Sequence, residues 1–188
     1  MTYESYLPPA SGSSASLSSG SCERRDKVPL LRRDPERPRW STAPRIGIVY
    51  SAENWHLIEP LVNDLRYELA DNYHFSPINI KITQTECIHD IPVYISHSHQ
   101  RSEIVFALGV VLRSSPLYEQ RLVDVLTQRL SAISVPGRLP VFDYILVRDS
   151  GEQLEEQIRS LAESRSEGFA EAWARRAIDT YAMLSKPS

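Results

Sequence analysis

Arg113, Ser114 and Ser115 close the apolar run "FALGVVL" and stand directly before Pro116. Proline presets φ for a first helical turn, so this turn would offer free backbone N–H groups and a positive dipole end to an anion. Arg159, on a later helical stretch, can grip a phosphate bidentately, although a solvated surface arginine explains it as simply. His89 and Asp90 form a second group. There Asp90 can orient a donor on a ligand, cap the following "IPVYIS" helix, or do both. His97 and His99 lie two apart, which splays them on a helix, and no neighbouring Cys or carboxylate completes a zinc set. No metal is expected. The glycines of this region make neither a G-x-G-x-x-G nor a Walker loop, and G-x-S-x-G is absent, so nucleotide cradles and a serine-hydrolase elbow lack support.

The elements that must position these groups follow from hydrophobic spacing. "RIGIVY" (45–50), "INIKIT" (78–83), "EIVFALGVV" (103–111) and "PVFDYILV" (140–147) read as strands, the third apolar enough to be central. Between them run helical patterns. The first carries Leu57, Ile58, Leu61, Leu65 and Leu69 on one stripe, with Ser51 or Asn54 as its cap. A short helix opens at Pro92. Another follows Pro116, with Leu122, Val125, Leu126, Leu130 and Ile133 on one side, and two more fill residues 151 to 184. Alternating strands and helices predict an α/β domain, a parallel sheet covered on both faces. In such sheets ligands bind beyond the carboxyl ends of the strands. The candidate site is therefore "SAEN", "QTECIHD", "LRSSPLY" and "VRDS".

Residues 1–44 differ in kind. They hold nine serines and six prolines, too little apolar surface to offset the entropy of ordering, which predicts a disordered tail. Its stretch "RRDKVPLLRRDPERPR" contains seven basic residues, which could dock on an acidic partner, organise an assembly or form a plain solvated arm. The net charge of -3 argues against general nucleic-acid affinity, and no apolar run is long enough to span a bilayer. Two cysteines, Cys22 and Cys87, without metal-like spacing, and no secretory signal at the start, predict a reducing, cytoplasmic location.

Five segments in order resemble the lumazine synthase family: "RIGIVYSAEN", "HDIP", "ALGVVLRSSPLYEQRLVDVL", "LPVFDYILVRDSGEQ" and "EGFAEAWARRAIDTYAML". The likeness covers nearly all of 45–184. It implies a three-layer sandwich around a four-stranded parallel sheet of flavodoxin-like topology, over residues 45–188. It also implies the joining of a ribitylamino-pyrimidinedione to dihydroxybutanone phosphate. That reaction uses no metal or organic cofactor, and its sites lie between subunits of a pentamer or a 60-subunit shell.

Carried over by residue, the resemblance is partial. Asn54 matches the turn asparagine, but Glu53 replaces the aromatic that stacks on the pyrimidine. Asp90 stands for the glutamate on the ribityl chain, one methylene shorter, with His89 before it. Val110, Val111 and Leu112 keep the strand whose backbone reads the pyrimidine. Ser115 and Pro116 fall on phosphate-binding positions, where Pro116 has no N–H to give. Tyr118 falls on the proton-shuttling histidine, Asp143 on a second pocket aromatic, and Arg159 on the phosphate-binding arginine; Glu163 and Glu167 replace lysines. A tyrosine near pKa 10 cannot exchange protons at pH 7 as a histidine near 6.5 does. The substitutions point to a homologue whose original reaction is lost or repurposed. A working synthase and a non-catalytic oligomeric scaffold are the alternatives.

Overall fold

The computed structural model describes residues 43–98, 101–113, 116–137, 139–164 and 166–185, with side chains left out at 98, 116–120 and 135–137. The expected tail lies outside these residues except for Ala43 and Pro44.

Four strands form one parallel sheet: β1 (Ile46–Ser51), β2 (Ile80–Thr85), β3 (Ile104–Leu112) and β4 (Val141–Arg148), in the order β2-β1-β3-β4. Among the described residues five α-helices connect and follow them: α1 (Trp55–Tyr67), α2 (Ile91–Ser98), α3 (Pro116–Gly137), α4 (Gly151–Glu163) and α5 (Phe169–Leu184). The predicted α/β sandwich is the observed one, and β3 is indeed an inner strand.

Alternation along the strands builds the layers. Ile104, Phe106, Leu108 and Val110 of β3 join Ile46, Ile48 and Tyr50 of β1 in one core, under Leu57, Ile58, Leu61 and Leu65 of α1, Leu154 of α4, and Trp173 and Ile178 of α5. Val49, Val105, Ala107 and Val111 face the other way, onto Ile91 and Ile95 of α2 and Leu126 and Leu130 of α3. Phe106, fully enclosed, contacts the rings of Phe142 and Tyr144 at centroid distances of 6.1 and 6.2 Å.

Several local expectations shift. The second strand begins at Ile80, not 78, because Pro77–Asn79 makes a 3₁₀ turn that leaves Ile78 90% exposed. The strand then runs two residues further, since Thr85 pairs with Ser51. Past Tyr67 the first helix widens into a π turn, Glu68–Asn72, that still buries Leu69. On α3, Leu126 and Leu130 are buried, but Val125 is 42% exposed and does not belong to the core stripe.

Candidate functional site

The order β2-β1-β3-β4 places a topological switch between β1 and β3, where successive crossovers leave in opposite directions. A crevice at the carboxyl ends of these two strands is the geometric consequence. Asn54 sits across it. Its backbone is left-handed (φ 55°, ψ 42°), a conformation asparagine tolerates better than most residues. Its Nδ2 donates to the carbonyl of Val110 at 2.9 Å, tying the turn after β1 to β3. Asn54 also occupies the cap position of α1, but through its carbonyl, which accepts from the Leu57 amide at 2.9 Å; the expected side-chain cap is not formed. Ser51 does not cap α1 either. Its Oγ accepts from the Glu53 amide at 3.1 Å.

The Glu53 carboxylate reaches the next loop. Oε2 accepts from the Ile88 amide at 3.2 Å, and Oε1 accepts from the Cys87 thiol at 3.4 Å. The His89 amide favours the Cys87 thiolate. Partial burial, the Glu53 hydrogen bond and the charges of Glu53 and Asp90 outweigh that effect and push the thiol up. Cys87 is therefore a protonated donor at neutral pH, not an activated nucleophile. Thr85 supports this loop by donating to the Cys87 carbonyl at 2.9 Å. Asp90, half-buried, ends the 3₁₀ turn Ile88–Asp90 that leads into α2, and His89 beside it is exposed.

Val110 and Val111 are buried on opposite faces, so what they offer at this end is backbone. After Leu112, the Arg113 amide donates to the Arg148 carbonyl at 2.8 Å, and Arg113 Nη1 pairs with Asp149 at 3.3 Å. Both partners are largely exposed, so the pair contributes under about 1 kcal/mol. Arg148 turns to Gln157 of α4, which accepts from Nε and Nη2 at 3.1 and 2.8 Å.

Pro116 opens α3 as expected. Ser115, and the side chains of Pro116 and Tyr118, lie outside the described residues, so the phosphate turn and the tyrosine remain expectations.

Asp143 lies within β4, in register with Ala107, rather than at the strand end. Its carboxylate accepts from the Thr127 hydroxyl at 2.7 Å and the Ile145 amide at 3.1 Å. Arg159 pairs along α4 with Glu156 at 2.7 Å, and Glu167 pairs with Arg175. Within one chain, then, Glu53, Asn54, His89, Asp90 and the end of β3 come together. Asp143 and Arg159 make their hydrogen bonds elsewhere.

A cavity of about 140 Å³ between α1, α4 and α5, lined by Leu61, Asp64, Ile158, Leu161 and Phe169 among others, holds none of the predicted residues. Among the described residues no group of three or more His, Cys, Asp or Glu could hold a metal ion, and no helix is long and apolar enough to cross a membrane.

The family model for 6,7-dimethyl-8-ribityllumazine synthase matches residues 43–185. The chain belongs to this family. Two proteins of that name give the scale of divergence. The one from Mycobacterium avium (strain 104) is 28% identical over 122 residues, covering 63% of this chain and 73% of that protein. The one from Mycobacterium ulcerans (strain Agy99) is 30% identical over 111 residues, covering 58% and 66%.

Set in the lumazine synthase frame, Ser51, Thr85, Cys87 and Ile88 fall within the expected site segments "SAEN" and "QTECIHD", but their role as the loop scaffold around Glu53 was not foreseen. The spacing Ser51-x-Glu53 directly after a strand was a usable signal, because a serine hydroxyl commonly accepts the amide two residues on. Nothing in the sequence marks the Ile88 amide as an acceptor's partner, since backbone donors are assigned only by the fold.

Proposed function

We propose that this chain is a divergent lumazine synthase homologue in which condensation of the ribitylamino-pyrimidinedione with dihydroxybutanone phosphate is lost or replaced by another small-molecule reaction. The observation that carries the reading is Glu53. It stands where the resemblance puts a ring-stacking aromatic, and its carboxylate is spent inside the chain on the Ile88 amide and the Cys87 thiol. A carboxylate offers no platform for a heterocycle and adds negative charge beside a phosphorylated co-substrate. Tyr118 in place of a histidine removes a proton carrier matched to neutral pH, a contribution typically of about 100- to 10,000-fold.

The proposed site is interfacial and cofactor-free. Glu53, Asn54, His89, Asp90 and the backbone of Val110 to Leu112 come from one subunit, with Ser115, Pro116 and Tyr118 on the turn beyond β3. Asp143 and Arg159 would complete a neighbour's site, which accords with their place away from the loop group. The half-buried strand β4, which carries Phe142, Tyr144, Ile145 and Leu146, suits packing against another copy in a pentamer or larger shell. No nucleic acid or membrane partner is proposed, and the location is cytoplasmic.

The matching Asn54, with Asp90 keeping a carboxylate one methylene shorter at the ribityl position, favours a second reading, a slow working synthase. A lumazine-formation assay on the purified oligomer, followed by product fluorescence against the uncatalysed background, separates the two. The expected result is no turnover above background. Clear turnover, or rescue of a riboflavin auxotroph, would establish the working enzyme. An inactive particle that only captures proteins would instead favour a scaffold.

A further inference from the structure

The turns after β1 and β2 are each held by hydrogen bonds of their own. In the first, Ser51 Oγ holds the Glu53 amide and Asn54 is pinned to Val110, so the base of the Glu53 side chain is fixed relative to the sheet. At the base of the two turns the Ala52 amide donates to the Thr85 carbonyl at 2.8 Å, and in the second turn the Thr85 hydroxyl holds the Cys87 carbonyl. Ile88 is packed against Gly109, where a Cβ would lie 2.7 Å from Ile88 Cδ1 and would push the tip of that side chain aside. Beyond that backbone bond, the Glu53 side chain reaches from the first turn to the second, and both of its oxygens are engaged across the gap.

We propose that Glu53 is a positioning residue that latches the two turns together and excludes a flat heterocycle from the space between them. Any ring placed there must break the bridge, and a neutral ring carbonyl is a weaker acceptor for the Ile88 amide than the charged carboxylate it displaces. The proposal deepens the reading above and rests on it for its probe, the ribitylamino-pyrimidinedione.

The test pairs calorimetric titration of that pyrimidinedione into the full-length oligomer with amide hydrogen exchange at Ile88. In Glu53→Ala, binding should tighten at least tenfold and Ile88 exchange should speed at least tenfold. Glu53→Gln keeps an acceptor oxygen and should stay near the parent in both. Glu53→Asp, too short to span the turns, should speed exchange even if the alanine variant folds poorly. Unchanged Ile88 exchange in the Ala and Asp variants would overturn the latch while leaving the lost-activity reading intact. A glutamine variant that binds like the alanine one would show that charge, not the bridge, excludes the ring. Turnover by the parent protein would sink the lost-activity reading and the exclusion together, because the heterocycle then enters with Glu53 in place.

Discussion

Asn54 shows how much one residue type can settle. Its left-handed backbone is open to asparagine and glycine but strained for most others, and its amide bridges to Val110. The two contributions can be separated. Asn54→Gly keeps the backbone and loses the bridge, which should cost about 1 kcal/mol. Asn54→Ala loses the bridge and strains the backbone, which should cost about 2 to 3 kcal/mol. Denaturant midpoints at constant m-value measure both, and equal losses would mean that the backbone conformation contributes nothing. The turn asparagine was legible in "SAEN"; its bond partner, 56 residues away, was not.

At the scale of elements, α4 is held by its own first residues. Ser150 Oγ accepts from the Gln153 amide at 3.3 Å, and Gln153 Oε1 accepts from the Asp149 amide at 3.1 Å, a close relative of the capping box. Ser150→Ala should therefore destabilise by about 1 kcal/mol, while Ser150→Asp should be nearly neutral. A thermal melt in which both variants match the parent would show that α4 is held by packing alone. The start of α4 was readable in "VRDSGEQ" because capping is local. The end of α1 was not, since the π turn at Glu68–Asn72 is closed by Tyr73 and Phe75 amides finding the Glu68 and Leu69 carbonyls, a choice made by the packing beneath.

For the whole molecule, the aromatic layer under α5 sets a dependence on pH. Tyr144 stacks on Trp173 at 4.8 Å, and its hydroxyl donates to the Trp173 carbonyl at 3.4 Å. Burial pushes its phenol up to about 12, against a smaller opposing pull from Arg176. Burial likewise raises Tyr50, with Glu59 adding to it; it also raises Tyr181, where Glu103 reinforces it and Ser185 opposes it. A raised phenol pKa means that the folded state holds the proton more tightly than the unfolded chain. That stability is present below pH 10 and is lost as pH climbs from about 10 to 12. For Tyr144 alone the loss amounts to about 2 to 3 kcal/mol. Tyr144→Phe should flatten the decline in urea midpoint over this range. An unchanged slope would assign the alkaline loss to other groups.

The residues alone determined the α/β class, the order of strands and helices, the family likeness, and the positions in the site that depart from the family pattern. These are readable because hydrophobic period, caps and turn residues act over a few neighbours. Tertiary structure decided what the departures do. Glu53 reads in sequence as a missing aromatic and in the fold as a bridge to Ile88, because its partner is a backbone amide on another loop. Asp143 reads as a pocket position and in the fold bonds Thr127 within β4 and α3. Gly109 reads as part of a strand, and only the fold shows that the side chains of Ile88 and Ile145 close over it. Such contacts join residues tens of positions apart, and only the packing of the sheet against its helices brings them within hydrogen-bond reach.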